Sequence, residues 1–452
     1  MNIIQIVSDT FRRDYLGCYG NNWIHTERLD KFARESMVFD RAYIASFPTI
    51  PNRHDLFTGR YTFTYSVWSP LPRDEVILSQ LLRQAGYTTM LIVDTWHLIR
   101  DGHYFDRGFD GWWWIRGQEH DRYMTNPTKD PVEHQKAFGA QYLQNISSRI
   151  FEEDYFVAQT MTAAAKWLEL NYDQHEKFFL HIDTFDPHEP WDPPKWYADM
   201  YDPDWKGGVV FGGSILPGIK RPAATELTEK ELKHLRALYA GEVTMVDRWI
   251  GMLLQKIEDL GLFENTAVIF TSDHGTYFGE HGYIGKSGHL YEEVTRIPLI
   301  IMLPDSEGAQ HGRCEVLVQS PDLMPTILEL AGINPPPTVQ AKSLLPIIRD
   351  EATQETEIAV SSSSLVGQRL PLWITVTSKD WALLAAGINA PPKDELGRRV
   401  ESELYNLSTD PNETRNLYNE KEEVAGELRS KMIEFLKSMG TKEEILKNWI
   451  QK

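Results

Sequence analysis

Short, almost wholly apolar runs punctuate the first three quarters of this chain, and most follow a stretch with helical periodicity. The runs are NIIQIVSD from Asn2, TTMLIVD from Thr88, FFLHIDTF from Phe178, TAVIFTSDHG from Thr266 and IPLIIMLP from Ile297. Strands this apolar have no solvent-facing side, so helices must cover both faces of the sheet they form. The pattern predicts an α/β chain built on a large, mainly parallel sheet sandwiched by helices. In such sheets ligands gather at the carboxyl ends of the strands. Four of the runs end in residues that can do chemistry: Asp9; Thr95-Trp96-His97; Asp186-Pro187-His188; and Asp273-His274.

From about Trp112 to Arg149 the chain becomes rich in Trp, His, Gln and Asn and loses its periodicity. It reads as an insertion over the cleft, serving as a lid or an oligomer contact. Residues 202–228 read as a second excursion. After about Asp350 the character changes again. EIAVSSSSLV, LPLWITVTSKDWALLAAG and ESELYNLSTD read as strands of a small antiparallel sheet, and EEVAGELRSKMIEFLKSMG as an amphipathic helix covering it. The expected division is a catalytic domain over 1–350, carrying the insertion at about 112–149, and an α+β subdomain over 351–452. The insertion and the C-terminal helix are candidate contacts of a homo-oligomer.

The 452 residues carry a formal charge of -19, which argues against a nucleic-acid backbone or an anionic membrane surface as partner. A small anionic substrate stays open, because a local cluster of cations can outweigh the global sign. Cys18 and Cys314 are the only cysteines; two thiols in so long a chain suit a reducing compartment rather than a disulfide framework. The sequence begins on a strand-like run without a basic and then apolar leader, and no stretch reaches the length of a membrane span. The expectation is a cytoplasmic protein with no membrane partner.

Asp9, Asp273 and His274 are ligand types for one divalent ion such as Mn, Zn, Mg or Ca, although an acid after a strand also serves as a helix cap. The glycines of SDHG and GEHG bracket the second group, as needed where backbone passes close to an ion. The stretch TIPNR places Pro51 in the first turn of a helix, with Thr49 just outside it. There Thr49 either caps the helix or sits in the field of unpaired N–H groups that stabilise an oxyanion. A threonine hydroxyl becomes a competent nucleophile when a cation lowers its pKa.

Taken in order, these motifs resemble the sulfatase branch of the alkaline-phosphatase superfamily. IVSDTFRRDYLGCYG resembles the opening metal strand, and TIPNRHDLFTGR the nucleophile signature Cys/Ser-x-Pro-Ser-Arg followed by Thr-Gly. TWHL resembles Lys-Trp-His-Leu, DPHEPW the His-containing loop, SDHGTYFGEHGYIGKSGHL the second metal strand and Lys loop, and ELYNLSTDPNETRNL the C-terminal motif. The resemblance implies an alkaline-phosphatase/sulfatase-like fold and a metal-dependent hydrolase of a small anionic ester. It also implies that Asp9, Asp273 and His274 bind the ion, with the Thr49 oxygen as nucleophile and further ligand. Asn52 and Arg53 would stabilise the developing charge. His188 and Lys286 would contact the substrate oxyanion, and one of His97, His188 or His289 would protonate the leaving oxygen.

The departures from the family pattern carry information. Sulfatases oxidise the Cys or Ser at the first signature position to formylglycine, whereas Thr49 would give a ketone, so no formylglycine is expected. TIPN is similar to the Thr-Phe-Pro-Asn of nucleotide pyrophosphatase/phosphodiesterases. Thr10 stands at the usual second metal-binding Asp, His274 at a frequent Asn, and Thr95 at the Lys of Lys-Trp-His; phosphonate monoester hydrolases and related phosphodiesterases resemble this chain in those changes. The expected activity is hydrolysis of phosphate mono- or diesters or phosphonate monoesters. The alternatives are a sulfatase lacking formylglycine and a catalytically silent anion-binding member.

Overall fold

The computed structural model describes residues 1–128, 139–208, 210, 227–308, 310–351, 356–367, 371–394 and 396–450. The middle of the 112–149 segment and most of 202–228 lie outside the described residues. The chain forms two compact units, each drawn from several stretches. The first comprises Met1–Val38, Ser79–Lys286 and Pro298–Arg313; the second comprises Phe39–Leu78, Ser287–Ile297 and Cys314–Lys452.

The strands are β1 (Asn2–Ser8), β2 (Met37–Tyr43), β3 (Thr88–Val93), β4 (Gly111–Trp114), β5 (Phe178–Thr184), β6 (Thr266–Ser272), β7 (Tyr277–Phe278), β8 (Ile284–Gly285), β9 (Leu299–Met302), β10 (Gly312–Gln319), β11 (Ala359–Ser361), β12 (Trp373–Thr377), β13 (Trp381–Ala386) and β14 (Glu403–Asn406). The chain crosses from one unit to the other within β2 and β10.

In the first unit β1 pairs in parallel with β5 and β6, β5 with β3, and β3 with β4, while β9 joins β6 antiparallel. The order is β9-β6-β1-β5-β3-β4, mainly parallel as the apolar runs predict. Every residue of β1, β5 and β6 is buried, as a sheet covered on both faces requires. Ile4, Ile6, Leu180, Ile182, Val268 and Phe270 share one core with Met161 and Ala164 of helix Phe156–Asn171 and with Tyr239 and Val243 of helix Glu229–Asp259. Gly111–Trp114, which the sequence reading assigns to the start of an insertion, is the edge strand beside β3. Edge position explains why Trp112 and Trp113 are 47% and 46% exposed.

The second unit contains the small antiparallel sheet, ordered β11-β12-β13-β14. Helix Glu422–Ser438 covers it with Leu428, Met432 and Leu436, packed among Val360, Ile374, Leu383 and Leu404. The stretch from 351 onward thus lies in this unit, together with 39–78, 287–297 and 314–350. Long-range pairing brings the early stretch here: Phe47 N donates to Ser362 O at 3.0 Å, and Ser362 N to Ala45 O at 3.0 Å. Among the described residues, no helix is long and apolar enough to cross a membrane.

Trp449, fully buried in the same core, closes the C-terminal end of this unit. Trp449→Ala should cost about 3–5 kcal/mol, read as an earlier urea transition by far-UV circular dichroism. An unchanged transition would show that the C-terminal segment contributes nothing to the core.

Candidate functional site

The first unit gathers an acidic-imidazole cluster at the carboxyl ends of its central strands. β1 and β6 pair without offset from Asn2↔Thr266 to Ser8↔Ser272. The next residues, Asp9 and Asp273, therefore leave the sheet side by side, and His274 follows. Asp9 N donates to Thr184 O at 2.9 Å, which carries the ladder toward β5 one residue further. Ligand-capable atoms of Asp9, Asp273 and His274 all lie within 4.8 Å of one another, and the three residues are fully buried.

Local hydrogen bonds fix what each side chain can offer. His274 Nδ1 lies 2.9 Å from Gly275 O; a carbonyl only accepts, so Nδ1 carries the proton and Nε2 keeps its lone pair. That Nε2 stands 3.4 Å from Asp273 Oδ2. Thr10 N donates to Asp273 Oδ1 at 2.9 Å, and Thr10 Oγ1 to Asp9 Oδ1 at 2.7 Å. Two buried carboxylates facing an imidazole lone pair cost several kcal/mol per charge unless a cation joins them. Two carboxylate oxygens and one imidazole nitrogen fit a divalent cation of hard to borderline character.

Lys286 Nζ makes a short hydrogen bond to His188 Nε2. His188 Nδ1 faces Glu189 O at 2.6 Å, and the ring stacks on Phe185 at 3.8 Å between centroids. The proton is again on Nδ1, leaving Nε2 to accept from the lysine. Burial and the charge of Lys286 hold His188 well below the ordinary imidazole range, so its ring is neutral.

Thr95 Oγ1 donates to Asp183 Oδ1 at 2.6 Å. His97 Nε2 lies 2.9 Å from Glu119 Oε2, which also accepts from Trp96 Nε1 at 2.6 Å. Burial pushes the Glu119 carboxyl up, but the bonds and charge of His97 and the Trp96 N–H outweigh it and hold the group below the usual carboxylate range. Glu119 is a residue that sequence reasoning passes over. It falls in the stretch read as an insertion, and the one available signal is its place just after the aromatic run GWWW.

In the second unit Thr49, Asn52 and Arg53 lie on helix Thr49–Thr58, every residue of which is buried. Pro48 occupies the cap position and Thr49 the first helical position, so Thr49 is not the cap. Asp55 Oδ2 accepts from Ser46 N at 2.8 Å, and Oδ1 accepts from Ser46 Oγ at 2.8 Å and from Thr62 N at 2.9 Å. These bonds tie the loops before and after the helix to its middle. Burial pushes Asp55 up to about 7 against them. Asn52 Nδ2 and Ser320 Oγ are 3.2 Å apart.

His289, also in the second unit, lies on Trp373 with ring centroids 3.4 Å apart and stacks on Tyr291 at 5.2 Å. Arg398 Nη2 is 3.2 Å from Nδ1, and Glu403 Oε1 is 3.4 Å from Nε2. A guanidinium only donates, so the ring proton sits on Nε2 facing Glu403. Both nitrogens face charged groups of this unit, Nδ1 the Arg398 guanidinium and Nε2 the Glu403 carboxylate. Burial raises Glu403, but His289, Tyr405 and Tyr291 bring it down to about 2.

A depressed carboxyl stabilises the fold above its unfolded pKa, and the contribution is lost as pH falls through the folded value. Glu403→Gln should therefore be destabilising at neutral pH, and the gap from the parent protein should close as pH falls from about 4.3 toward about 2. Urea denaturation at stepped pH reads this directly; a gap independent of pH would contradict it.

Residues 1–333 match the family model described as Sulfatase. The uncharacterized sulfatase YidJ of Escherichia coli strain K12 is 28% identical over 435 residues, covering 92% of this chain and 82% of that protein. An arylsulfatase of Clostridium perfringens is 27% identical over 463 residues, covering 93% and 91%. Among solved structures, the phosphonate monoester hydrolase of Agrobacterium radiobacter superposes with a TM-score of 0.76 at 19% identity, covering 97% of this chain and 96% of that one. A model match over most of the chain, on a mainly parallel sheet whose carboxyl ends present Asp9, Asp273 and His274, shows that the chain belongs to the sulfatase family of the alkaline-phosphatase superfamily.

Proposed function

We propose that this family member hydrolyses phosphate mono- or diesters or phosphonate monoesters, with Thr49 as the covalent nucleophile. The observation that carries the reading is the identity and place of Thr49: a threonine at the first position of a buried helix, where the family signature has Cys or Ser. Oxidised cysteine or serine gives an aldehyde hydrate that can expel sulfate by reforming its carbonyl. A threonine ester has no such route and must be opened by water at the central atom, which phosphorus permits more readily than a sulfate monoester does.

A divalent cation held by Asp9, Asp273 and His274 would supply charge neutralisation and Lewis acidity. The rest falls to side chains. Thr49 Oγ attacks phosphorus as its proton passes to solvent, and the bond to the leaving oxygen breaks as that oxygen takes up a proton, so the step neither gains nor loses a proton overall. Water then attacks phosphorus and the P–Oγ bond breaks, which restores Thr49. The N–H groups of the first helical turn, with Asn52 and Arg53, suit the charge that develops on the non-bridging oxygens. The Lys286–His188 pair suits anion contact and proton supply, since Lys286 presents its proton to a neutral ring. His97 and His289 are less suited, because each directs an N–H at a carboxylate, Glu119 and Glu403.

A second reading, a sulfatase working without formylglycine, is favoured by the names of the curated relatives, a sulfatase and an arylsulfatase. The two readings separate on aryl phosphodiester, phosphomonoester, phosphonate and sulfate ester substrates assayed with Mn, Zn, Mg or Ca. The first predicts turnover of one or more phosphorus esters above the sulfate ester, and a loss of about a thousand-fold or more in kcat for Thr49→Ala. Sulfate turnover far above every phosphorus ester, or full activity in Thr49→Ala, would overturn it.

A further inference from the structure

Thr10 follows Asp9 with φ at 60°, in the left-handed region that a β-branched residue rarely adopts. It is fully buried, and hydrogen bonds on all sides hold it there. Its N–H donates to Asp273 Oδ1 at 2.9 Å and its hydroxyl to Asp9 Oδ1 at 2.7 Å, while its carbonyl accepts from Tyr239 Oη at 2.8 Å. Tyr239 Oη in turn accepts from Arg12 N at 2.8 Å. Asp273 Oδ1 takes a further bond from His274 N at 2.9 Å. Strain kept in place by so many contacts, between two ligand carboxylates, calls for a role.

We infer that Thr10 is a positioning residue that presents Asp9 and Asp273 each as a one-oxygen ligand. The inference rests on the metal centre of the preceding reading. With both Oδ1 atoms held by Thr10, Asp9 and Asp273 would each hold a cation through the other oxygen, and His274 would hold it through Nε2. The backbone N–H sets one carboxylate and the hydroxyl sets the other, so the left-handed turn is what lets one residue reach both. A set of single oxygens and an imidazole nitrogen suits a small ion such as Mn²⁺. Ca²⁺ accepts two-oxygen carboxylates in a looser shell.

The test is calorimetric titration of the metal-stripped full chain with Mn²⁺ and separately with Ca²⁺. Thr10→Val removes the hydroxyl and keeps the shape; Thr10→Ser restores the hydroxyl. Thr10→Val should weaken Mn²⁺ binding about ten- to a hundred-fold, with a smaller loss for Ca²⁺, because the released Asp9 can then offer both oxygens. Thr10→Ser should stay within about two-fold of the parent, since the bonding partner is kept. If Thr10→Val shows no cooperative melt, Thr10→Gly removes the same hydroxyl without the backbone strain and carries the same expectation. Equal weakening for both ions, or Mn²⁺ affinity unchanged, would overturn the inference. If the parent protein binds neither ion, the metal centre falls and the inference falls with it; parent binding that Thr10→Val matches overturns the inference alone.

Discussion

The offset-free parallel pairing of β1 with β6 is the constraint on which the first unit's chemistry depends. Ser8 faces Ser272 across the ladder, so the acids that follow both strands emerge together. A slip of one residue would turn the slipped strand's side chains to the opposite face and separate the carboxylates. The shared core makes that slip costly, because either Ile4 and Ile6 or Val268 and Phe270 would leave it. The packing of the sheet thus fixes the spacing of Asp9 and Asp273 before any ligand binds.

That arrangement opposes what burial favours. Two carboxylates at zero exposure are held with their Oδ1 atoms on the N–H and O–H groups of Thr10, and His274 turns a lone pair toward the same space. A cation is the species that brings this set into balance. The neighbouring Lys286–His188 pair follows the same logic: a buried neutral ring accepts a hydrogen bond from the lysine and so holds its charge inside the first unit. In the second unit, Asp55 performs a structural version of the same task, with its carboxylate fastening both loops around the Thr49 helix.

Much of this is legible in the sequence, for identifiable reasons. Apolar runs ending in Asp9 and Asp273-His274 report a doubly covered parallel sheet and its ligand edge, because burial on both faces leaves no other composition. Thr49 at a helix start is legible because Pro51 suits a first turn. What escapes depends on pairings far apart in the chain. GWWW is too short to show strand alternation, so β4 reads as part of an insertion, and Glu119 with it. The engagement of His289 by Arg398 spans 109 residues. The two units follow no single cut, since Ala45 and Phe47 bond to Ser362. Thr10 is visible only as a missing acid; its left-handed backbone and its hold on both carboxylates need the fold.

On the proposed route, Thr49 carries the phosphoryl group during turnover. Rapid acid quench of the metal-loaded protein with an aryl phosphodiester or phosphonate ester, followed by digestion and mass spectrometry, tests it most directly. A covalent Thr49 route leaves a phosphoryl or phosphonyl adduct on Thr49 in the peptide containing TIPNR, absent without substrate. Turnover with no adduct on that peptide under any quench time, or an adduct on another residue, would contradict it.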